Sequence, residues 1–376
     1  MEFPGDKILL VAMPLIGDAL LATPLLRSLR RARPQATIDA LVYHGHETIL
    51  EGNPDLTDVL TVSPRPRFAE YRAIVRRIFR RYDLAISISD SDRKMAYAVL
   101  AGRKRISIVP PPRWQDAWKR YMTHAWTEYD KDTHTVLQNL RLADLIGVER
   151  CYELVAPRSE MAGQTLDRLL PFAWREQDFA VLHPAPRWVY KRWTADGWEQ
   201  LARHLAAKGL PIVLSRGGDA EEVDYVNALS ANMPDAVVDL EHTLSFSEVA
   251  TLISRCRVFI GADTAVTHIA AATGAPTIAL FGPTRPTLWA PWPVDYAQDK
   301  PPFANKGTQR INNVTLVQGS GHCVPCGNEG CDRHKQSRSR CLEELHSAAV
   351  IQAVDATLNC VVPIRAVQSV NWTMRD

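Results

Sequence analysis

Asp263, Thr264 and His268 stand directly after a short apolar run in the second half of the chain. That run, residues 258–260, has the composition of a buried strand, and the small residues at 270–272 favour a helix packed closely on a sheet. The first turn of such a helix offers free backbone N–H groups and the positive end of the helix dipole, which together bind phosphate. The segment therefore predicts a site for a phosphate-bearing ligand. Helix capping by Asp263 and Thr264, with an ordinary histidine beside them, is the alternative.

Asp18 occupies a similar position near the start of the chain, one residue after Gly17. Residues 8–11 are continuously apolar, as expected of a parallel strand covered on both faces, and leucines recur at helical spacing over residues 21–29. Ligands bind beyond the carboxyl ends of strands in open parallel sheets, so Asp18 stands where a carboxylate can accept a proton. The turn has neither the glycines of a dinucleotide fingerprint nor a Walker lysine. A simple capping role for Asp18 remains open.

Lys191 and Arg187 bring positive charge to the same region. Both belong to residues 183–193, which follow a predicted strand at 180–182 and so emerge at the same sheet edge as Asp263. Cations at this edge can stabilise a departing diphosphate. A lysine on the solvated surface is the alternative interpretation of Lys191.

Alternating strands and helices must position these side chains. Short apolar runs separated by helix-length segments predict an α/β protein. The predicted strands cover residues 8–11, 37–42, 84–87, 180–182, 211–214, 237–238, 258–260 and 277–281. A chain of 376 residues with 46% hydrophobic content suits two domains, each with its own core, and we place their boundary near Pro171.

Three motifs occur in a definite order along the chain. They are Gly17-Asp18 with Ala22-Thr23-Pro24, the stretch 183–193, and Asp263-Thr264 with His268 and Gly282-Pro283-Thr284. With these motifs the sequence resembles glycosyltransferase family 9, the heptosyltransferases of lipopolysaccharide core assembly. The resemblance extends from about residue 7 to about residue 358.

The resemblance implies a GT-B fold, in which two Rossmann-like domains with parallel sheets face each other across an interdomain cleft. The implied acceptor-binding domain covers residues 1–172, and the nucleotide-sugar-binding domain covers residues 173–345. Residues 346–376 would then contain a C-terminal helix that crosses back to the first domain, followed by a tail.

By the same resemblance, the expected reaction is inverting, metal-independent transfer of heptose from ADP-heptose to a hydroxyl group of a lipopolysaccharide core or related acceptor. Asp18 would act as the general base, and Lys191 would stabilise the leaving diphosphate. No cofactor is expected for catalysis. The expected donor-binding residues are His183, Arg187, Glu222, Asp263, Thr264, Ala265 and His268.

Two parts of the chain depart from the family's pattern. Pro184, Ala185 and Pro186 stand where family members usually carry small hydroxylated residues close to the phosphates. Ala265 replaces a common glycine, which would cost energy if the position needs a positive φ. Glu222, placed where the family holds the nucleotide ribose, equally suits the solvated start of a helix.

Seven arginines between residues 65 and 81 predict a basic amphipathic helix, with Ile74, Val75, Ile78 and Phe79 as its apolar side. A net charge of only +2 argues against general binding of nucleic acid. The arginine patch is either a solvated face or a surface for phosphorylated sugars and anionic lipid headgroups. The expected acceptor-binding residues are Arg76, Arg77, Arg80 and Arg93.

No apolar run approaches the ~18 residues that span a bilayer, and the first residues lack the pattern of a cleavable signal. We therefore expect a cytoplasmic protein. Peripheral contact with the inner membrane is compatible with the arginine patch.

Four of the seven cysteines form a C-x2-C-x4-C-x9-C cluster, consisting of Cys323, Cys326, Cys331 and Cys341. Four sulfurs suit a structural zinc or iron site, and reduced, unliganded thiols are an equally supported alternative. Some members of the family that the sequence resembles carry iron, so the resemblance permits a metal without requiring it. The segment from Asp90 to Asp92 looks like a metal-binding Asp-x-Asp motif but is more simply a polar loop.

Two other functions remain open. One is a nucleotide-sugar-binding protein without turnover, for which Ala265 and the proline-rich loop are the hints. The other is a GT-B-like nucleotide-sugar epimerase, which would need an acid/base pair in one closed site and no acceptor patch. The arginine patch argues against the epimerase.

Overall fold

Two parallel β-sheets organise the chain, and the computed structural model describes residues 5–13, 15–240 and 242–360. The first sheet has six strands, all parallel, in the order β3-β2-β1-β4-β5-β6. This is the strand order of a Rossmann sheet. The strands are β1 (Lys7–Val11), β2 (Thr37–Tyr43), β3 (Asp58–Val62), β4 (Tyr82–Ser87), β5 (Gly102–Val109) and β6 (Ala125–Glu128).

Helices cover both faces of this sheet. They are α1 (Ile16–Leu21), α2 (Thr23–Ala32), α3 (Phe68–Ile78), α4 (Asp92–Ala101), α5 (Ala117–Met122) and α6 (Thr135–Asp144). Along β1, Ile8 and Leu10 belong to the core on the side of α1, α2 and α6, whereas Leu9 and Val11 belong to the core on the side of α3 and α4. Every side chain of the apolar run is therefore buried, which explains why β1 shows no polar alternation.

The second sheet has seven strands in the order β12-β13-β11-β10-β7-β8-β9. All its pairings are parallel except that of β12 with β13. Its strands are β7 (Ala180–His183), β8 (Ile212–Leu214), β9 (Val237–Asp239), β10 (Val258–Ala262), β11 (Thr277–Phe281), β12 (Gln309–Ile311) and β13 (Val314–Gln318).

Eight further helices accompany the second sheet. They are α7 (Ala162–Leu169), α8 (Ala195–Ala207), α9 (Ala220–Ser230), α10 (Phe246–Ile253), α11 (Ala265–Ala272), α12 (Pro286–Trp289), α13 (Arg340–Glu343) and α14 (Ser347–Asn359). Trp198 of α8 is fully buried and meets Trp193 edge to face at 5.1 Å, in a core that also contains Val350 and Val354 of α14.

The strand order reverses once in each sheet, between β1 and β4 in the first and between β7 and β10 in the second. The loops that leave neighbouring strands at such a point diverge to opposite faces and open a crevice at the carboxyl edge, where ligands bind. Asp18 follows β1, and Asp263 follows β10. The fold therefore places both candidates at the binding position of their own sheet.

The predicted α/β class with parallel sheets is confirmed, and all eight predicted strands are present. Five strands were not predicted. Three of them, β3, β6 and β12, lie at sheet edges and carry exposed polar residues, and the first half of β5 contains Arg103, Lys104 and Arg105. These four strands are only partly buried and lack the continuous apolar run by which the predicted strands are recognised.

Two local expectations differ from the structure. Ile74 and Ile78 of α3 are buried as predicted, but the helix ends at Ile78 and Phe79 is 54% exposed. Helix α14 contacts α8, β10 and β13 of the second sheet rather than crossing back to the first domain. Residues 361–376 of the expected tail lie outside the described residues, and the domain boundary after residue 172 stays a prediction.

No helix in the described part of the chain is long and apolar enough to cross a bilayer.

Candidate active site

A cleft of about 1000 Å³ lies between the carboxyl edges of the two sheets. The first sheet contributes residues that follow β1, β2 and β6, and the second contributes the loops after β7, β8, β10 and β11. All nine residues predicted to act in catalysis or donor binding line this cleft. They are Asp18, His183, Arg187, Lys191, Glu222, Asp263, Thr264, Ala265 and His268.

The N-terminal ends of α1 and α11 meet across the cleft. A Cβ atom added to Gly17 would lie 3.8 Å from the ring of His268 and 3.9 Å from the Cα of Ala265. Both values are ordinary van der Waals distances, so α1 is in direct contact with the second sheet's binding helix at this point. Asp18, the next residue, is thereby held at the interdomain surface.

Asp18 is the third residue of α1, and its Oδ2 accepts a hydrogen bond from the backbone N–H of Leu15 at 2.8 Å. The carboxylate therefore does help to cap the helix, although it is not the N-cap residue. Asp18 is 7% exposed, and burial raises its pKa to about 6, against the opposing effects of the Leu15 hydrogen bond and of Lys94 and Lys191. A carboxylate with this pKa is largely ionised at neutral pH and binds a proton more readily than an exposed aspartate.

Lys191 forms an ion pair with Asp263, with 2.7 Å between Nζ and Oδ2. The same Asp263 oxygen accepts a hydrogen bond from the Thr284 hydroxyl at 2.6 Å. Burial disfavours the charge on Lys191, but Asp263 outweighs this effect and raises the pKa of the lysine. Likewise, burial alone would raise the pKa of Asp263, but Lys191 and Thr284 lower it. Both groups are therefore charged, and Lys191 presents a fixed cation to the cleft.

The first turn of α11 lines the cleft beside this ion pair. Thr264 is the N-cap, and its side chain accepts a hydrogen bond from the N–H of Thr267. Ala265 begins the helix and has no positive φ, so the exchange of glycine for alanine introduces no backbone strain. The first backbone N–H groups of a helix have no carbonyl partners within it. In α11 these groups, and the positive end of the helix dipole, lie at the cleft.

His268 and His183 are both neutral at physiological pH, because burial lowers the pKa of each to about 4. Nδ1 of His183 is 2.9 Å from the Ser215 hydroxyl, which fixes the ring at the end of β7. Nδ1 of His268 is buried and has no hydrogen-bond partner among the described residues. The ring of His268 lines the cleft, but this nitrogen has almost no accessible surface there.

Glu222 and Gly217 are matched to each other in shape. A Cβ atom at Gly217 would lie 1.7 Å from Oε2 of Glu222, so the carboxylate occupies space that only glycine leaves free. Burial and neighbouring Asp219 raise the pKa of Glu222, whereas Arg187 and Arg192 lower it. Glu222 is only 9% exposed and lies at the cleft wall, so it is not part of a solvated helix surface.

Three first-domain residues that line the cleft were not predicted as site residues: His46, Tyr129 and Lys131. Lys94, which the sequence groups with Arg93 in the expected acceptor patch, interacts electrostatically with Asp18. Nδ1 of His46 is buried without a partner in the described residues. Lys94 follows β4, which lies beside β1 at the reversal of strand order, so the topology would have indicated it. No pattern in the sequence indicates His46.

The predicted acceptor arginines do not line the cleft. Arg77 pairs with Asp58 at 2.7 Å, and Arg93 donates to the carbonyl oxygen of Pro64. Arg76 and Arg80 are exposed on or just after α3. A role for these four residues in acceptor binding stays a prediction.

The cysteine cluster forms part of the cleft wall. Cys326 lines the cleft with the three residues that follow it, and the N–H of Gly327 donates to the carbonyl of Pro283 at 2.8 Å. Cys341 is buried, and burial together with the other three thiols raises its pKa to about 11. Within the described ranges, no three His, Cys, Asp or Glu side chains are grouped as ligands of a metal ion. A structural zinc or iron site therefore stays a prediction.

The segment Asp90–Asp92 is accounted for by local contacts. Asp92 pairs with Lys119 at 2.8 Å, and the carbonyl oxygen of Asp90 accepts a hydrogen bond from the same amine. This agrees with its interpretation as a polar loop.

The cleft combines a carboxylate that can accept a proton with a cation and helix amides that can hold a diphosphate. Asp18 comes from the first sheet, and Lys191 and α11 come from the second. This combination suits transfer of a group from a diphosphate to a hydroxyl.

The model of glycosyltransferase family 9 (heptosyltransferase) matches residues 71–305, more than half of the chain. Lipopolysaccharide heptosyltransferase 3 of Escherichia coli (strain K12) is 28% identical over 285 residues, which cover 73% of this chain and 82% of the relative.

Two solved structures share the fold. The E. coli ADP-heptose LPS heptosyltransferase II superimposes with a TM-score of 0.72 at 19% identity, covering 94% of this chain and 98% of the other. The E. coli heptosyltransferase WaaC with ADP gives a TM-score of 0.68 at 20% identity, covering 93% and 99%.

Burial of Asp18 predicts a measurable cost in stability. Its pKa is raised from 3.8 to about 6 in the folded state, so the folded chain retains a proton that the unfolded chain loses between these pH values. Stability should therefore fall as the pH rises through this window and stay reduced above it. Replacing Asp18 with Asn should stabilise the protein by up to about 3 kcal/mol at pH 8 and have little effect near pH 3.5.

Thermal or denaturant unfolding of the two proteins across this pH range measures the effect. Asp224→Asn, which alters an exposed carboxylate of α9, is the matched control and should change stability little at any pH. A pH-independent difference between Asp18→Asn and the parent would contradict the assigned cause.

Proposed function

The chain belongs to glycosyltransferase family 9, and from this we propose that it transfers heptose from ADP-heptose, with inversion, to a hydroxyl group of a lipopolysaccharide core or related acceptor. It is a glycosyltransferase by family. The named relatives support the donor and acceptor: one is an LPS heptosyltransferase 3, one an ADP-heptose LPS heptosyltransferase II, and one holds ADP. The first domain, up to about residue 172, binds the acceptor, and the second binds the donor.

One observation carries the proposal: Asp18 and Lys191 reach the same cleft from opposite sheets. They are close enough to affect each other's protonation, since Lys191 lowers the pKa of Asp18 and Asp18 raises that of Lys191. A sugar and its diphosphate bound between them would have a base on one side and a cation on the other.

Asp18 acts as the general base in the proposed step. It takes the proton from the acceptor hydroxyl while that oxygen attacks the anomeric carbon of the heptose. The bond from this carbon to the diphosphate oxygen breaks, and its electron pair leaves with ADP. Attack on the face opposite the leaving group inverts the anomeric configuration.

Lys191 and the first turn of α11 receive the negative charge that develops on the diphosphate. Asp263 acts as a positioning residue, because it holds the Lys191 ammonium in place and keeps it protonated. These groups supply the positive charge that a metal provides in other transferases, so we propose a metal-independent reaction.

The remaining second-sheet residues bind the donor. Glu222 accepts hydrogen bonds from the ribose hydroxyls, and Arg187 and His183, which line the same cleft, contact the donor beside it. His268, whose ring lines the cleft, contacts the heptose or the phosphate beside Asp263. Tyr129 and Lys131 line the first-sheet side of the cleft, and we propose that they contact the acceptor.

A donor screen tests the function directly. Purified protein is incubated with ADP-heptose, UDP-hexoses or GDP-sugars and a delipidated core acceptor, and nucleotide release is measured. We expect ADP release that depends on the acceptor. Release from UDP-hexoses with none from ADP-heptose would overturn the donor assignment, and tight ADP-heptose binding without turnover would favour a binding protein.

Asp18→Asn should lower kcat by about 10²–10⁴-fold with ADP affinity preserved, because only the proton acceptor is lost. In the parent enzyme, kcat/KM should fall below a pH of about 6, where the base becomes protonated. This acid limb should be absent from the residual activity of the variant. An unchanged rate, or an unchanged acid limb, would remove Asp18 from the mechanism.

Gly217→Ala should weaken ADP binding by about 10–100-fold, because the new Cβ displaces the Glu222 carboxylate from its position against the ribose. Gly218→Ala is the matched control, since its Cβ would meet only Thr243 at 3.6 Å. Isothermal titration with ADP measures both. Equal effects of the two substitutions would separate Glu222 from nucleotide binding.

Metal independence is tested by the initial rate in EDTA, which should stay within about twofold of the untreated rate. The EDTA test does not address a structural metal on the four cysteines. Elemental analysis of the purified protein distinguishes such a metal from free thiols. A rate that collapses in EDTA and recovers only with a divalent cation would contradict the proposed role of Lys191.

A further inference from the structure

Exposed aromatic side chains are concentrated on one part of the first domain. Of the ten large apolar side chains that are exposed in the described residues, eight lie between residues 68 and 129. The most exposed are Trp114 at 90%, Tyr121 at 88% and Phe68 at 80%. Single exposed apolar residues are common, but a cluster of exposed aromatics marks an interaction surface.

Five of these residues belong to segments that share one edge of the first sheet. Residues 64–72 follow β3, residues 90–97 follow β4 and residues 113–121 follow β5. Because these strands are parallel, the three segments begin at the carboxyl edge, which also carries Asp18. We call the side chains that they expose the aromatic rim, consisting of Phe68, Tyr71, Trp114, Trp118 and Tyr121.

Direct contacts join the three segments into one surface. Arg93 donates to the carbonyl oxygen of Pro64, and the rings of Tyr71 and Tyr97 are 6.2 Å apart. Lys119 donates to the carbonyl oxygen of Asp90 at 2.6 Å. The rim continues toward the cleft through the strand after α5, since Tyr129, just beyond β6, lines the cleft itself.

The aromatic rim is also strongly basic. Its three segments contain eight basic and four acidic residues, an excess greater than the net charge of +2 on the entire chain. Arg65, Arg67, Arg72 and Arg113 are exposed, and none of the four forms an ion pair within the part of the chain that the structure describes. Their guanidinium groups are free to bind phosphate oxygens.

Exposed tryptophan and tyrosine beside unpaired arginine match the chemistry of a phospholipid headgroup layer. Tryptophan and tyrosine favour the membrane interface, where the ring is in the apolar boundary and its polar atom stays hydrated. Arginines near an anionic bilayer add attraction to the lipid phosphates. A second copy of this chain fits less well, because two rims of the same positive charge repel each other.

We infer that the aromatic rim docks the enzyme onto an anionic phospholipid bilayer, with Trp114, Tyr121 and Phe68 inserted at the headgroup boundary. Docking by this edge brings the mouth of the cleft to the membrane surface. An acceptor anchored in the bilayer by acyl chains then reaches Asp18 without leaving the lipid. This inference deepens the proposed function, since it rests on an acceptor that is carried by a lipid.

Co-sedimentation with vesicles tests the docking without donor or acceptor. One set of vesicles contains phosphatidylethanolamine and phosphatidylglycerol, and the other contains phosphatidylcholine alone. The parent protein should bind the anionic vesicles and bind them less at high salt. Replacing Trp114 and Tyr121 together by Ser should reduce the partition coefficient by about tenfold or more.

The matched control replaces Phe79 and Met161 together by Ser. These side chains are 54% and 57% exposed but lie outside the rim, so binding should stay within about twofold of the parent. Should the rim variant fold poorly, Arg65→Gln with Arg113→Gln provides a second variant in which only charge is removed. Sedimentation velocity of the parent and the rim variant reports any change of oligomeric state.

Two outcomes would overturn the docking surface: rim and control variants that bind vesicles equally, or a rim variant whose only change is loss of self-association. Transfer to a soluble, delipidated acceptor should be unchanged in the rim variant, because the rim residues do not line the cleft. Failure of transfer in the parent would instead count against the proposed function and leave the vesicle result valid.

Discussion

The largely buried ion pair between Lys191 and Asp263 joins the two segments from which the second-sheet half of the cleft is built. Lys191 belongs to the loop after β7, and Asp263 to the turn between β10 and α11. Either charge alone would be costly at this depth, because an uncompensated buried charge destabilises a protein by several kcal/mol. Paired, they fix the cation beside the helix N-terminus, and Thr284 holds the carboxylate from a third strand's loop. The position of the Lys191 ammonium group is therefore fixed by its ion pair with Asp263.

The first-sheet half follows a different rule. Among the residues that the structure describes, no cation forms an ion pair with Asp18, which is stabilised by one backbone hydrogen bond and by more distant lysines. Its raised pKa is the physical consequence. One side of the cleft thus holds a carboxylate whose affinity for protons is increased, and the other holds a carboxylate whose affinity is decreased. The pKa values of the two aspartates therefore shift in opposite directions, because Asp263 forms an ion pair with a lysine whereas the lysines near Asp18 are more distant.

The proposed contacts with substrates extend beyond these charges. The cysteine-rich segment supplies Cys326 and the three residues after it to the cleft wall, so its conformation, with or without a metal, shapes the second-sheet side of the cleft. On the first domain, the aromatic rim and the cleft share one sheet edge. In a parallel sheet, each loop that leaves the carboxyl end of a strand begins at that edge, so the proposed binding, chemistry and membrane contact can lie on one side of the domain.

The sequence by itself determined the elements that are buried on both faces and the motifs attached to them. Continuous apolar runs identified β1, β7, β10 and β11, and the residues that follow these strands gave Asp18, Lys191 and Asp263 as candidates. The charged edge strands, and His46, carry no such local signal. Only the tertiary structure decided which candidates meet. It brought Asp18 and Lys191 into one cleft, left the arginines of α3 outside it, and paired Lys191 with Asp263. The reason is physical: apolar periodicity records burial against a neighbouring layer, whereas pKa values, ion pairs and cleft contacts depend on residues distant in the chain and fixed by sheet order.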